Sequence, residues 1–470
     1  MIMEYKSLGF RCGIEIHQQL EGKKLFCSCP TKIRKDHPDF SVERYLRASA
    51  GETGEIDRAA AHEQSKAKRF TYHGYHDSTC LVELDEEPPH VVNINALMTV
   101  LQLAALLNSR VVDEIQFMRK TVVDGSNTSG FQRTALVAVD GHIEVNGKKI
   151  RIPTVCLEEE AAQIIERKRD HDVYNLSRLG IPLIEIATDA SISSPEECRD
   201  VAAKLGMILR SLKGIKRGIG SIRQDVNISI RNGARTEIKG FQEYRSIPAV
   251  IEKEVLRQKG LISRGEKVGE EVRKAEPDNS TSFLRPMPGA ARMYPETDVL
   301  PVVPKTVNVA SIELIDEKAS RLAEEYAIPK WLAAIIAKKG IPFEDFVKRY
   351  KRIKPLFIAE TLVTMPKEMR RRFGVEIEVT NFADNVLMKL DSGKITKEAV
   401  FEILVELGKG NSVDYSKFRP ADMSEVESEI RSIVEKNRGA PLGAIMGEAM
   451  KRFRGKVEGK TISDLVKKLM

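Results

Sequence analysis

Five short segments of this chain alternate large apolar residues with acids, amides and a histidine, and no other feature constrains the fold as strongly. They are GIEIHQQL (13–20), VCLEEEAAQ (155–163), IPLIEIATD (181–189), SIRQDVNISIR (221–231) and RTEIKGF (235–241). In an extended strand, positions i and i+2 share a face. Ile14 and Ile16 then enter a core while Glu15 and His17 emerge together on the other side. By the same rule Arg223, Asp225 and Asn227 share a face, Glu237 and Lys239 share a face, and Glu159 points away from Glu158 and Glu160. Glu185 is a single carboxylate in an apolar strand, and burying an unpaired charge is costly, so it requires a cation, a metal or a proton.

A sheet with one wet face explains any one of these segments. Taken together they fit that explanation less well, because a wet face favours lysine, threonine and mixed polar residues. Acids, amides and a histidine on neighbouring strands suit Mg²⁺ or Mn²⁺, which prefer oxygen ligands and tolerate an imidazole. With Arg and Lys nearby, such a cation belongs to the apparatus of phosphoryl transfer.

The chain has 470 residues, more than a single core accommodates, so several domains are expected. Strand-like runs separated by turn signals extend to about residue 300, and the class expected is α+β with a mainly antiparallel sheet. ALVAVDGHIEVNGKKIRIPTV reads as a hairpin meander with turns at Asp-Gly and Asn-Gly. VNINALMTVLQLAALL (92–107) and PEECRDVAAKLGMILRSL (195–212) read as helices, the second capped by Ser194 with Pro195 at its first position. A Pro-rich stretch, FLRPMPGAARMYPETDVLPVVP, marks a boundary, and amphipathic helices follow it. Three domains are expected, over residues 1–300, 301–392 and 393–470.

The net charge of +7 is concentrated at the end of the chain, which suggests an anionic partner there. No apolar run reaches the ~18–20 residues of a membrane span, and no signal-peptide pattern opens the sequence. Six cysteines in so long a chain do not make a disulfide framework. A soluble, cytoplasmic protein with no membrane partner is expected. Walker-A, dinucleotide-fingerprint and HExxH patterns do not occur, and RGIGS (217–221) reads as a turn entering a strand.

GIEIHQQL, LFCSCP, RKTVVDGSNTSGFQ, LEEEA, LSRLGIPLIEIATD, GSIRQDVNISIR, RTEIKGFQEY and ARMYPETD occur in an order and spacing that resemble the GatB/GatE family of tRNA-dependent amidotransferases. LVELDEEPPH and FLRPMPGAARMYPETD are most similar to the archaeal E-type (GatE) chains. The resemblance implies a cradle domain carrying kinase and transamidase activity, then a helical domain and a tRNA-binding tail. It implies ATP-dependent phosphorylation of the glutamate γ-carboxylate on Glu-tRNA(Gln), followed by amidation to Gln-tRNA(Gln). The ammonia would come from an asparaginase-like (GatD-type) partner, or less readily from an amidase (GatA-type) partner. The alternative is a non-catalytic, tRNA-binding structural component of such a complex.

By motif, the resemblance makes Glu15, His17, Glu159 and Glu185 the Mg²⁺ set. Arg119 and Lys120 are candidates for phosphate oxygens, as a fork and a point charge. Asp225, Glu237 and Lys239 would line the same cavity. E-type chains normally carry an inserted domain resembling part of aspartyl-tRNA synthetase before the RPMPGAARMYPETD stretch, and GEEVRKAEPDNSTSFLRP leaves no room for one.

The Cys-Ser-Cys at 27–29 resembles half of a zinc knuckle. Cys27, Cys29, Cys80 and His76 could supply the four ligands of a Zn²⁺ site, against the plainer reading of buried free thiols. Cys12, Cys156 and Cys198 read as core residues. In MGEAMKRFRGKVEGK (446–460), Lys451, Arg452, Arg454 and Lys456 stand where a helix end meets a glycine turn and could track RNA phosphates.

Overall fold

The computed structural model describes residues 4–50, 54–241, 243–287, 293–304, 312–419, 421–453, 457 and 459–470. The chain divides after Ile312 into two compact units. In order, the first contains β1 (Arg11–Gln19), β2 (Phe40–Arg44), α1 (Arg58–Gln64), β3 (Arg69–Gly74), α2 (Ile94–Leu106), β4 (Arg110–Val111), β5 (Phe117–Thr121), β6 (Phe131–Val145), β7 (Lys148–Glu159), β8 (Gln163–Arg167), β9 (His171–Asn175), β10 (Pro182–Ala187), α3 (Pro195–Ser211), β11 (Ile222–Ser229), β12 (Thr236–Phe241), α4 (Ile247–Ser263), β13 (Glu271–Ala275), β14 (Thr281–Pro286) and β15 (Met293–Pro295).

The fold is α+β. Among the described residues, eleven strands form one sheet in the order β14-β13-β12-β11-β1-β10-β7-β6-β5-β15, with β4 added on β6. All its pairs are antiparallel except β12 with β13. The five alternating segments are five successive neighbours in this sheet, β12-β11-β1-β10-β7. Their apolar faces form one side of a core: Ile14, Ile16, Ile184, Ile186, Val226 and Ile238 are buried. α2 packs behind β6 and β7, and α3 behind β1. Ser194 caps α3 by accepting from the Glu197 N–H, with Pro195 in the first turn, and Asn93 caps α2.

The hairpin reading of residues 135–155 is half right. Asn146 and Gly147, both at positive φ, make the turn between β6 and β7. Asp140-Gly141 is not a turn but a point inside β6, where pairing continues from Val139↔Thr154 to Gly141↔Ile152. There the backbone meets the end of α2: His142 N–H donates to Leu107 O at 2.7 Å, and a Cβ on Gly141 would collide with Ser109 Oγ. Close approach, rather than chain reversal, requires that glycine.

A second sheet, β2-β3-β9-β8, carries Phe70, Tyr72 and Tyr174 on a small apolar cluster. In the segment whose length leaves no room for an inserted domain, β13 and β14 are joined by a short turn in which Glu276 N–H donates to Ser280 O at 2.8 Å.

The second unit holds α5 (Ile315–Glu325), α6 (Lys330–Lys339), α7 (Phe343–Arg349), α8 (Pro355–Phe373), α9 (Thr380–Asp391), α10 (Lys397–Gly408), α11 (Met423–Lys436), α12 (Leu442–Phe453) and α13 (Gly459–Leu469). Leu322 to Val405 contribute to one apolar cluster, so residue 393 falls inside it, between α9 and α10. Val426 to Val466 form a separate cluster from α11, α12 and α13. Among the described residues no helix is long and apolar enough to cross a membrane.

Candidate active site

The polar faces of the five strands line a cavity of about 780 Å³. Cross-strand register sets its chemistry: His17 stands opposite Glu185 on one side and Arg223 on the other, and Glu15 opposite Asp225. His17 Nε2 lies 3.1 Å from Glu185 Oε2, and its Nδ1 is 4.0 Å from Asp225 Oδ2. Burial pushes the imidazole down, but the hydrogen bond and charge of Glu185, with Asp225 and Glu158, hold it above its ordinary value. Glu185 is itself held far below the usual carboxylate range, because Lys120 and His17 outweigh its desolvation.

Among the described residues of the cavity, two donor groups result. His17, Glu158 and Glu185 form one and Glu15, Asp225 and Glu237 the other, with the donor atoms of each group within 4.8 Å of one another. A lysine attends each group. Lys120 Nζ is 2.9 Å from Glu158 Oε1 and 3.6 Å from Glu185 Oε2. Lys239 Nζ is 2.6 Å from Asp225 Oδ2 and also pairs with Glu237. Glu158 is fixed further by Thr134 Oγ1 and Gln132 Nε2, which donate to it at 2.9 and 3.1 Å. Glu15 accepts from Asn227 Nδ2 at 3.1 Å, and burial with the charges of Glu185 and Glu237 raises its pKa. Carboxylate-rich groups joined by one imidazole are the donor chemistry of Mg²⁺ or Mn²⁺, so these residues fit such an ion.

At one end of the cavity Glu160 accepts from Gln19 Nε2 at 2.9 Å and Arg223 Nη2 at 2.8 Å. Arg178 donates to the carbonyls of Ala161 and Ala162. A loop carrying Asp124, Ser126 and Asn127 forms another wall. The second sheet holds that loop: Tyr72 OH donates to Gly125 O at 2.9 Å and Tyr174 OH to Asp124 O at 2.6 Å. Gly125 has φ +88°, and a Cβ there would run into the Phe70 ring, so only glycine lets the loop seat on these rings.

Two expected site residues lie elsewhere. Glu159 does not join His17 and Glu185. The alternation of β7 turns it to the opposite face, where Arg133 Nη1 lies 3.3 Å from its Oε2 and Arg133 Nε pairs with Glu296 Oε2 at 2.7 Å. Glu158 takes its place in the cavity. Arg119 is next to Lys120 on β5 and so also faces away, bonded to Glu296 Oε1 at 2.6 Å and stacked 4.6 Å from the Phe131 ring centre. Sequence reasoning missed Gln132, Arg178, Arg235 and Arg285, which also line the cavity. Glu158 and Glu160, which also line the cavity without having been assigned to it, did carry a signal, namely their shared face.

Cys27, Cys29 and Cys80 converge, but the fourth donor is Glu83 and not His76. Glu83 Oε1 accepts from Cys27 Sγ at 2.9 Å, and its Oε2 accepts from Cys80 N–H at 2.8 Å. Hydrogen bonds from the Cys27 and Cys29 thiols hold Cys80 far below its ordinary pKa. His76 is exposed, its ring against Phe40 at 5.5 Å. Cys12 and Cys198 are buried, whereas Cys156 is only half-buried and stands opposite Glu185 on the cavity face.

In the second unit Lys451 and Arg452 occupy the last turn of α12, and Arg452 Nε pairs with Glu429 Oε2 at 3.0 Å. Arg454 and Lys456 lie outside the described residues.

Residues 10–310 match the family model described as the GatB/GatE catalytic domain. Over its whole length the chain is similar to the E-type chain of glutamyl-tRNA(Gln) amidotransferase from Archaeoglobus fulgidus, at 38% identity, with 100% of this chain and 99% of that protein covered. The protein of the same name from Methanocaldococcus jannaschii is 35% identical, with 100% and 99% covered. That from Methanosarcina barkeri is 36% identical, with 99% and 98% covered. The first alignment spans 616 positions against the 470 residues here, so that relative contains a substantial length of chain without counterpart in this one.

Proposed function

Because the chain belongs to the GatB/GatE family, we propose that it is the kinase and transamidase component of a glutamyl-tRNA(Gln) amidotransferase. In this reading the cavity takes the glutamyl end of Glu-tRNA(Gln) and ATP, transfers the terminal phosphoryl group to the γ-carboxylate, and lets ammonia displace the phosphate. The observation that carries the reading is the pair of lysine-attended donor groups on adjacent strands of one cavity. A divalent cation bound there would neutralise developing charge on the phosphoryl oxygens. Lys120 and Lys239 provide point charges beside it, and His17 fixes the orientation of Glu185. Gln132 and Thr134 hold Glu158 so that its oxygens need no reorganisation. The cavity volume is in the range of small-molecule sites.

Ammonia is supplied by a partner amidohydrolase, of the asparaginase-like type in preference to the amidase type. A purely structural, tRNA-binding role is the weaker reading, since it gives no reason to keep five carboxylates and a histidine on one buried face. The test is conversion of Glu-tRNA(Gln) by the purified chain with ammonium chloride and Mg-ATP. Product should form, and glutamine or asparagine should not replace ammonium unless a partner is added. Release of ammonia from either amide by this chain alone would overturn the division of labour.

A further inference from the structure

Among the described residues, six basic side chains besides His17 line the cavity, and five of them are committed to protein acceptors. Lys120 and Lys239 lie on the two donor groups, Arg223 on Glu160, Arg178 on two carbonyls, and Arg235 on Asn227 Oδ1 at 2.9 Å. Arg285 differs: among the described residues its guanidinium has no hydrogen bond and no ion pair, and its Nε is buried without an acceptor. It also lines a small adjoining void with Ala59, Ala60 and Glu63 of α1 and with residues 121–124 after β5. Arg285 therefore sits where β14, at one end of the sheet's strand order, meets the segment leaving β5 near the other end. The pairing of β13 with β14 slips immediately beside it, from Val272↔Arg285 to Arg273↔Phe283, and such bulges re-aim side chains.

We propose that Arg285 is a phosphate-binding residue of this cavity, its guanidinium taking two oxygens of a ligand phosphate. The inference rests on the functional reading above and adds a named contact to it. A half-buried guanidinium with an unsatisfied N–H requires an acceptor, and its planar fork matches phosphate. The phosphate is either one of the nucleotide or a phosphodiester at the 3′ end of the RNA.

The experiment compares wild type, Arg285→Ala and Arg285→Lys in equilibrium titrations with Mg-ATP, deacylated tRNA(Gln) and inorganic pyrophosphate. Arg285→Ala should weaken one of the first two by about tenfold or more and weaken pyrophosphate as well, as expected for a lost charge-assisted bidentate contact. Arg285→Lys, which keeps the charge but not the fork, should fall between. Weakened Mg-ATP assigns the phosphate to the nucleotide, and weakened tRNA assigns it to the RNA. If Arg285→Ala does not fold, Arg285→Lys decides alone. Affinities within twofold of wild type for all three probes overturn the inference. Failure of wild type to bind Mg-ATP at all would instead count against the functional reading, and the pyrophosphate titration still tests the arginine.

Discussion

His17 and Glu185 are registered partners across β1 and β10, joined by a 3.1 Å contact between Nε2 and Oε2 with both side chains largely buried. The contact makes the carboxylate and the imidazole one unit of the cavity. Glu185→Gln and His17→Ala should each abolish ATP-dependent formation of glutaminyl-tRNA, by 100-fold or more for an order-of-magnitude estimate, while tRNA affinity stays within about twofold. Single-turnover assays and filter binding read the two quantities separately. Full transamidation by both variants at ordinary Mg²⁺ would remove these residues from the site.

Glu158 and Glu159 are adjacent but serve opposite faces of β7. Glu158→Gln should weaken Mn²⁺ binding, followed by electron paramagnetic resonance, by about 10- to 100-fold. Glu159→Gln should leave Mn²⁺ affinity nearly unchanged. Equal losses in the two variants would mean that β7 presents a different face to the ion.

Glu296 is fully buried between Arg119 and Arg133. Desolvation alone would raise its pKa, but the two arginines and the Asp298 N–H hold it below the usual carboxylate value. Its folded value is depressed, so its stabilisation is present above the ordinary carboxylate pKa and is lost as pH falls through the folded value. Wild-type Tm should therefore drop as pH falls below about 4.5, near the ordinary carboxylate pKa. Glu296→Gln should cost about 3 kcal/mol at pH 7 and lessen that acid dependence. Parallel Tm profiles for the two proteins between pH 7 and 3 would show that Glu296 does not control the acid limb.

The basic end of α12 belongs to the small cluster of α11, α12 and α13. Removal of residues from 421 onward leaves the Leu322–Val405 cluster intact, whereas a cut at 393 would strip α10 from it. The shorter chain should show a raised KM for glutamyl-tRNA and a flatter dependence of binding on salt, with divalent-ion affinity unaltered. An unchanged KM would place the RNA contacts elsewhere in the chain.

The five charged strand faces were legible because alternation at period two is a local property, and the sheet sets those strands side by side. Which acid of Glu158 and Glu159 faces the cavity was not legible. That choice depends on Arg133, contributed by β6, and on the register of β7 against β10. The same holds for Arg119 and Lys120, whose opposite faces follow from adjacency but whose assignment needs Glu296 from far along the chain. Asp140-Gly141 carries strong turn chemistry, yet packing against Leu107 and Ser109 keeps it within a strand. Glu83 was passed over beside the cysteines because its role depends on how the segment after Cys80 folds back onto Cys27.

The central claim, that this cavity phosphorylates the glutamyl group of a misacylated tRNA, is tested most directly by ADP release from the purified chain with Mg-ATP and ammonium. ADP should form only when Glu-tRNA(Gln) is present, in about one-to-one ratio with Gln-tRNA(Gln), and should disappear in Glu185→Gln. ADP formation that is indifferent to Glu-tRNA(Gln), or amidation without ADP, would contradict it.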